Sequence, residues 1–117
     1  MDRLLRATMN TWNGLKSAIR TEAAFRQEIA VLLVAIPLAF VVGQTTWTRL
    51  LLVGVVIFVM VVELLNTAVE KLADRVSREI DVQIGTAKDI GSAAVGLSLL
   101  LAGAIWLLAL AERLGWL

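Results

Sequence analysis

Glu63, Asn66, Glu70 and Asp74 follow one another at spacings of three, four and four residues, with Thr67 beside them, in a stretch that is otherwise mostly apolar. On a helix these positions share a sector of about 80°, so they form one polar stripe. Carboxylates with an amide and a hydroxyl suit hard divalent cations such as magnesium, and can accept protons. Three acids on one face also repel each other, and an unpaired Asp at mid-membrane costs about 2.5–3.5 kcal/mol, less near the interface. A divalent cation is the simplest compensation. The plainer alternative is that Glu63 pairs with a basic residue and sets helix register, while Glu70 and Asp74 form a solvated face with Lys71, Arg75 and Arg78 as counter-charges.

Two further segments carry groups of matching chemistry. Glu22-Ala-Ala-Phe-Arg-Gln-Glu28 precedes the first long apolar run and holds Glu22, Arg26 and Glu28 at the membrane level expected for Glu70. Lys88-Asp89 opens the last apolar run from the same side, where an ammonium and a helix N-terminus both favour anions such as phosphate. Lys88 reads equally well as a snorkelling or orienting lysine. The small residues from Gly91 to Ser98 permit close helix packing in lipid, and Ser92, one turn inside Lys88, is a candidate donor to a lipid headgroup. The chain has no cysteine and no histidine, which excludes disulfides, thiol nucleophiles, zinc sites built on nitrogen or sulfur and an imidazole base. No Walker A loop and no protein-kinase glycine loop is present.

The elements that must position these groups follow from hydropathy. Of 117 residues 59% are hydrophobic, mean hydropathy is +0.83 and there is one proline, too apolar a composition for a soluble domain of this size. Charge-free runs extend over Ile29–Thr48, Leu50–Val62 and Ile90–Ala111. The first and third suffice to cross a bilayer, whereas the second, about 20 Å of helix, spans only if Glu63 and the residues after it are drawn in. Gly43 to Thr48 reads as a tight turn, with Gly43 ending one helix, Thr46 or Thr48 capping the next and Trp47 at the interface. In the first twenty residues Leu4, Leu5, Thr8, Trp12, Leu15 and Ile19 share a sector of about 100°, opposite Arg3, Arg6, Asn10, Asn13, Ser17 and Arg20. This is the pattern of a helix lying in the membrane interface or, alternatively, packed on the bundle. The Lys/Arg distribution leaves only Arg49 and Arg113 on the far side, so the N-terminus is expected in the cytoplasm and the C-terminus outside. The first apolar run lacks a small-residue cleavage pattern, and no cleaved signal peptide is expected.

Glu22-Ala-Ala-Phe-Arg-Gln-Glu28, Val62-Glu-Leu-Leu-Asn-Thr-Ala-Val-Glu70 and Ala87-Lys-Asp-Ile-Gly-Ser-Ala-Ala94, with Trp12-Asn-Gly-Leu15 and the three-span layout, resemble the prokaryotic membrane diacylglycerol kinase family over nearly the whole chain. The resemblance implies an all-α membrane protein: a surface helix over 1–22, transmembrane helices over 24–43, 47–73 and 88–112, a cytoplasmic loop over 74–87, and assembly as a homotrimeric bundle in the bacterial inner membrane. It implies transfer of the terminal phosphate of MgATP to diacylglycerol, giving phosphatidic acid at the cytoplasmic leaflet. In that scheme Glu63 is the general base at the lipid hydroxyl, and Glu22 and Glu70 hold magnesium against the ATP phosphates. Lys88 neutralises phosphate, Asp89 and Asn66 support the nucleotide site, Arg3 contacts the nucleotide, and Ser92 with Glu63 faces the lipid. The connecting loop, with Glu79 and Asp81, lies over the nucleotide. The partners so implied are ATP, diacylglycerol and membrane lipids, with no nucleic acid.

Two rival readings fit the same residues. A kinase of this family acting on a polyprenol such as undecaprenol uses identical phosphate chemistry. A non-enzymatic subunit would instead conduct protons or cations along the acidic stripe.

Overall fold

The computed structural model describes residues 2–76 and 82–117, and in chain order it has α1 (Asp2–Thr21), α2 (Ala23–Val42), α3 (Thr46–Val76) and α4 (Val82–Arg113). The described residues contain no strand. Three of the helices, α2, α3 and α4, are long and apolar enough to cross a membrane. The 20 residues of α2 give about 30 Å, the thickness of a bilayer core, whereas the 31 of α3 and 32 of α4 give about 46 and 48 Å. The excess length of α3 and α4 therefore stands clear of the hydrocarbon.

α3 is the central element, flanked by α4 on one side and α2 on the other, while α2 and α4 barely touch. The molecule measures 53 × 41 × 23 Å, so its thin dimension is about two helix diameters and the spans form an open layer. Large apolar side chains such as Leu33, Phe58, Leu97 and Leu107 are exposed along the spans, as lipid solvent permits. The buried apolar core is small, Ala39, Leu52 and Ala109 with Val42, Val53, Ile105 and Trp106 against them. Trp106 Nε1 donates to the Leu52 carbonyl at 3.1 Å, tying α4 to α3 beside that core.

The α2–α3 turn matches the expected position with a different cap. Thr45, not Thr46 or Thr48, is the N-cap: its Oγ1 accepts the Thr48 N–H at 3.1 Å, and Arg49 N–H bonds the Thr45 carbonyl. The physical reason is register, since a hydroxyl reaches the amide three residues ahead and Thr48 is the third helical residue. Gly43 ends α2 in extended backbone, φ −75° and ψ 129°, so its role is close approach: a Cβ there would stand 2.7 Å from Arg49 Cγ and 2.8 Å from the Ala39 carbonyl oxygen. Arg49 Nε donates to the Gly43 carbonyl at 3.1 Å, with its guanidinium over the Phe40 ring.

Of the expected loop over 74–87, the described residues 74–76 and 82–87 are helical. Helix persists through Val76 and resumes at Val82, because polar side chains do not break a helix in water and Gly85 is tolerated within one. Glu79 and Asp81 lie outside the described residues.

Candidate functional site

Depth along α3 sets the frame of the site. Glu63 is 17 positions after Thr46, roughly 26 Å, and Glu70 is 24 positions after it, roughly 36 Å. With Thr46 at one edge of a ~30 Å core, Glu63 sits just inside the opposite edge and Glu70 just beyond it. The uninterrupted helix keeps the stripe intact: Glu63 is half-buried, Asn66 buried, and Glu70 and Asp74 exposed.

One flank of the stripe faces the α1–α2 junction. Thr67 and Lys71 line, with Leu64 and Ala68, a groove of about 410 Å³ closed by Asn10, Gly14, Ala18 and Glu22. Lys71 Nζ lies 3.4 Å from Glu22 Oε2. In the plainer alternative Lys71 serves Glu70 or Asp74 as a counter-charge; instead it lies 100° around the helix from Glu70, on the flank turned toward Glu22. Thr21 Oγ1 donates to the same Glu22 oxygen at 2.9 Å. That hydrogen bond, with Lys71 and Arg26 adding to it against partial burial, holds the Glu22 carboxyl below its ordinary pKa. Arg26 fixes the junction itself, its Nη1 donating to the carbonyls of Ile19 (2.8 Å) and Arg20 (3.2 Å) at the C-terminus of α1.

The other flank faces α4. Asn66 Nδ2 donates to Glu70 Oε1 at 3.2 Å. Lys88 Nζ meets Asp74 Oδ1 at 2.5 Å, joining the end of α3 to the start of α4, so the lysine expected to neutralise phosphate is engaged by a carboxylate. Ser92 follows Lys88 by one turn and is exposed. Asp89 is exposed 100° further around α4, on the flank away from α3, and Arg3 is exposed at the start of α1.

The structure adds Glu28 to the core of the group. Its Oε1 is buried with no hydrogen-bond partner among the described residues, and its carboxyl lies within electrostatic reach of Glu63, which in turn is within reach of Glu70 and Glu22. The sequence signalled this by placing Glu28, with Glu22, at the membrane level expected for Glu70. Among the described residues no three acidic side chains converge as a metal cage. A hard divalent cation that keeps several waters needs only one or two carboxylates from the protein, and Glu22 and Glu70 have the chemistry for that.

On α1 Leu4, Leu5, Trp12 and Ile19 of the apolar stripe are exposed, whereas Leu15 of the same stripe lines the groove toward α3 with Gly14, the buried Ala18 and polar residues. An apolar face left off the bundle is what a helix lying in the lipid interface presents.

Residues 9–110 match the family model described as prokaryotic diacylglycerol kinase. The chain belongs to the prokaryotic diacylglycerol kinase family. It is similar to the diacylglycerol kinase of Escherichia coli K12, 40% identical over 97% of this chain and 93% of that one. It is also similar to those of Haemophilus influenzae, 41% identical over 91% and 90% of the two chains, and Pseudomonas aeruginosa, 40% identical over 91% and 86%. The stretch matched to the family spans the stripe, Glu22, Glu28, Lys88 and Ser92, and leaves Arg3 ahead of it. With three spanning helices and bacterial relatives, the protein is a multi-pass bacterial membrane enzyme of this family.

Proposed function

We infer that the chain transfers the terminal phosphate of ATP to the free hydroxyl of diacylglycerol, giving phosphatidic acid at the cytoplasmic leaflet of the bacterial inner membrane. The observation that carries this reading is that Glu22, Glu28 and Glu70 all lie within electrostatic reach of Glu63, with Lys71 paired to Glu22. Family membership and the relatives' names support the choice of lipid.

In the proposed reaction Glu63, at the edge of the hydrocarbon, accepts the hydroxyl proton of a lipid that arrives by lateral diffusion. The alcohol oxygen then bonds to the γ-phosphorus as the bond to the β-phosphate oxygen breaks, and ADP carries away the leaving electron pair. Glu22 and Glu70 would hold the magnesium that accompanies ATP, which supplies charge neutralisation to the phosphates. Lys88 exchanges Asp74 for a phosphate oxygen, and Ser92, one turn deeper, donates to the lipid headgroup. Asn66 acts on Glu70, while Asp89, Arg3, Glu79 and Asp81 supply the outer nucleotide contacts. Phosphoryl transfer asks mainly for alignment and charge compensation, which helices without a nucleotide-binding loop can provide. Three copies would close the open layer into a homotrimer.

The test is ATP-dependent lipid phosphorylation by the purified protein in mixed micelles, with diacylglycerol and undecaprenol supplied in parallel. Glu63→Gln is expected to lower turnover about 10²- to 10⁴-fold while the oligomer persists. Full activity in that variant would remove the proposed base, preference for undecaprenol would overturn the lipid assignment, and ion flux in liposomes without ATP would favour a conducting subunit.

A further inference from the structure

Asn66 is buried to 8% exposure where α3 and α4 meet. Its Nδ2 is committed to Glu70 Oε1, and its Oδ1 is buried without a hydrogen-bond partner among the described residues. Charge dictates this orientation, since the flipped amide would set a carbonyl oxygen against a carboxylate. Oδ1 therefore turns to α4, where it meets Gly91. A Cβ added at Gly91 would collide with Oδ1 and stand 3.3 Å from Asn66 Cγ, whereas one added at Gly96, further along α4, meets nothing within 4 Å.

We propose that Gly91 is a positioning residue: by presenting bare backbone it lets α4 close over the Asn66 amide and lock its Nδ2 onto Glu70. This rests on the reading of Glu70 as a donor to the metal-bound nucleotide. The Gly91 Cα–H groups are weak donors toward Oδ1, and exclusion of water from the seam leaves them no competitor. The amide is trapped between a carboxylate that needs its N–H and a helix backbone that admits only its oxygen. Any side chain at position 91 must push Asn66 away from α4, and the Glu70 carboxylate then loses the bond that selects its rotamer. The metal-facing oxygen of Glu70 is thus oriented from a residue on another helix that touches neither substrate.

The experiment uses the full chain in lipid micelles and compares Gly91→Ala with Gly96→Ala. Gly91→Ala is expected to raise the apparent KM for MgATP about tenfold or more, with a smaller loss in kcat, and Gly96→Ala to stay near wild type. The Asn66 side-chain amide resonance, read by NMR without nucleotide or lipid substrate, should shift in Gly91→Ala as it does in Glu70→Gln. Gly91→Ala added to Glu70→Gln should cost nothing more, because both act through one carboxylate. Wild-type kinetics with an unmoved amide resonance, or losses that multiply in the double variant, would overturn the proposal. Should Gly91→Ala fail to assemble, Gly91→Ala/Asn66→Ala must restore assembly, and failure to do so sinks it. Because the amide readout needs no turnover, it judges the Gly91–Asn66–Glu70 linkage even for a protein that phosphorylated no diacylglycerol.

Discussion

Glu22 ties three parts of the chain together, receiving the Thr21 hydroxyl at the end of α1 and Lys71 of α3 at the mouth of α2. Its carboxyl is held below the ordinary value near 4.5, foremost by the Thr21 hydrogen bond. A depressed native pKa means the folded state favours the ionised form, so this stabilisation is present above pH ~4.5 and lost as pH falls through the native value. Thermal unfolding in micelles between pH 3 and 7 should show an acid-side loss that is smaller in Glu22→Gln; an identical pH profile in the variant would count against the tie. The types and spacing of Glu63, Asn66, Glu70 and Asp74 were legible as one stripe because helical period alone decides it. Pairing was not: Lys71 turns to Glu22 and Lys88 to Asp74, since ion-pair choice depends on which neighbouring helix lies within a few ångströms.

Between residues and molecule stand the joints of the helices. The α2–α3 turn rests on the Thr45 cap and on the bare Gly43 against which Arg49 folds. Thr45→Ala should destabilise by about 1 kcal/mol and Gly43→Ala by about 1–3 kcal/mol through overpacking, both read as midpoint shifts in denaturant unfolding in micelles. Trp106→Phe should cost about 0.6–2 kcal/mol by leaving the Leu52 carbonyl without the indole donor, in the same measurement. Composition located the turn, but the capping threonine is settled by where α3 takes its first helical dihedrals. Residues 74–76 and 82–87, expected in a loop, are helical for a related reason: hydropathy marks where lipid ends, and a helix can continue into water.

On the scale of the whole molecule, three spans in an open layer leave the acidic stripe between the α1–α2 junction and α4. Lys and Arg concentrate at the ends that carry the stripe, while Trp47 and Trp116 are exposed near the opposite ends. The chain contains no cysteine, so single introduced cysteines report topology without background. In oriented membranes, Asn13→Cys should react with an impermeant maleimide only from the cytoplasmic side and Gly115→Cys only from the opposite side. The reverse pattern would invert the orientation proposed above.

By itself the sequence determined the helical class, three spans and the polar stripe of Glu63, Asn66, Glu70 and Asp74, because each depends on hydropathy and period along one chain. Only the tertiary structure decided that Glu28 joins Glu63, that Lys88 holds Asp74, and that Gly91 meets Asn66. Those are distances between helices, and a helix's own residues say which face is polar without saying which neighbour will meet it.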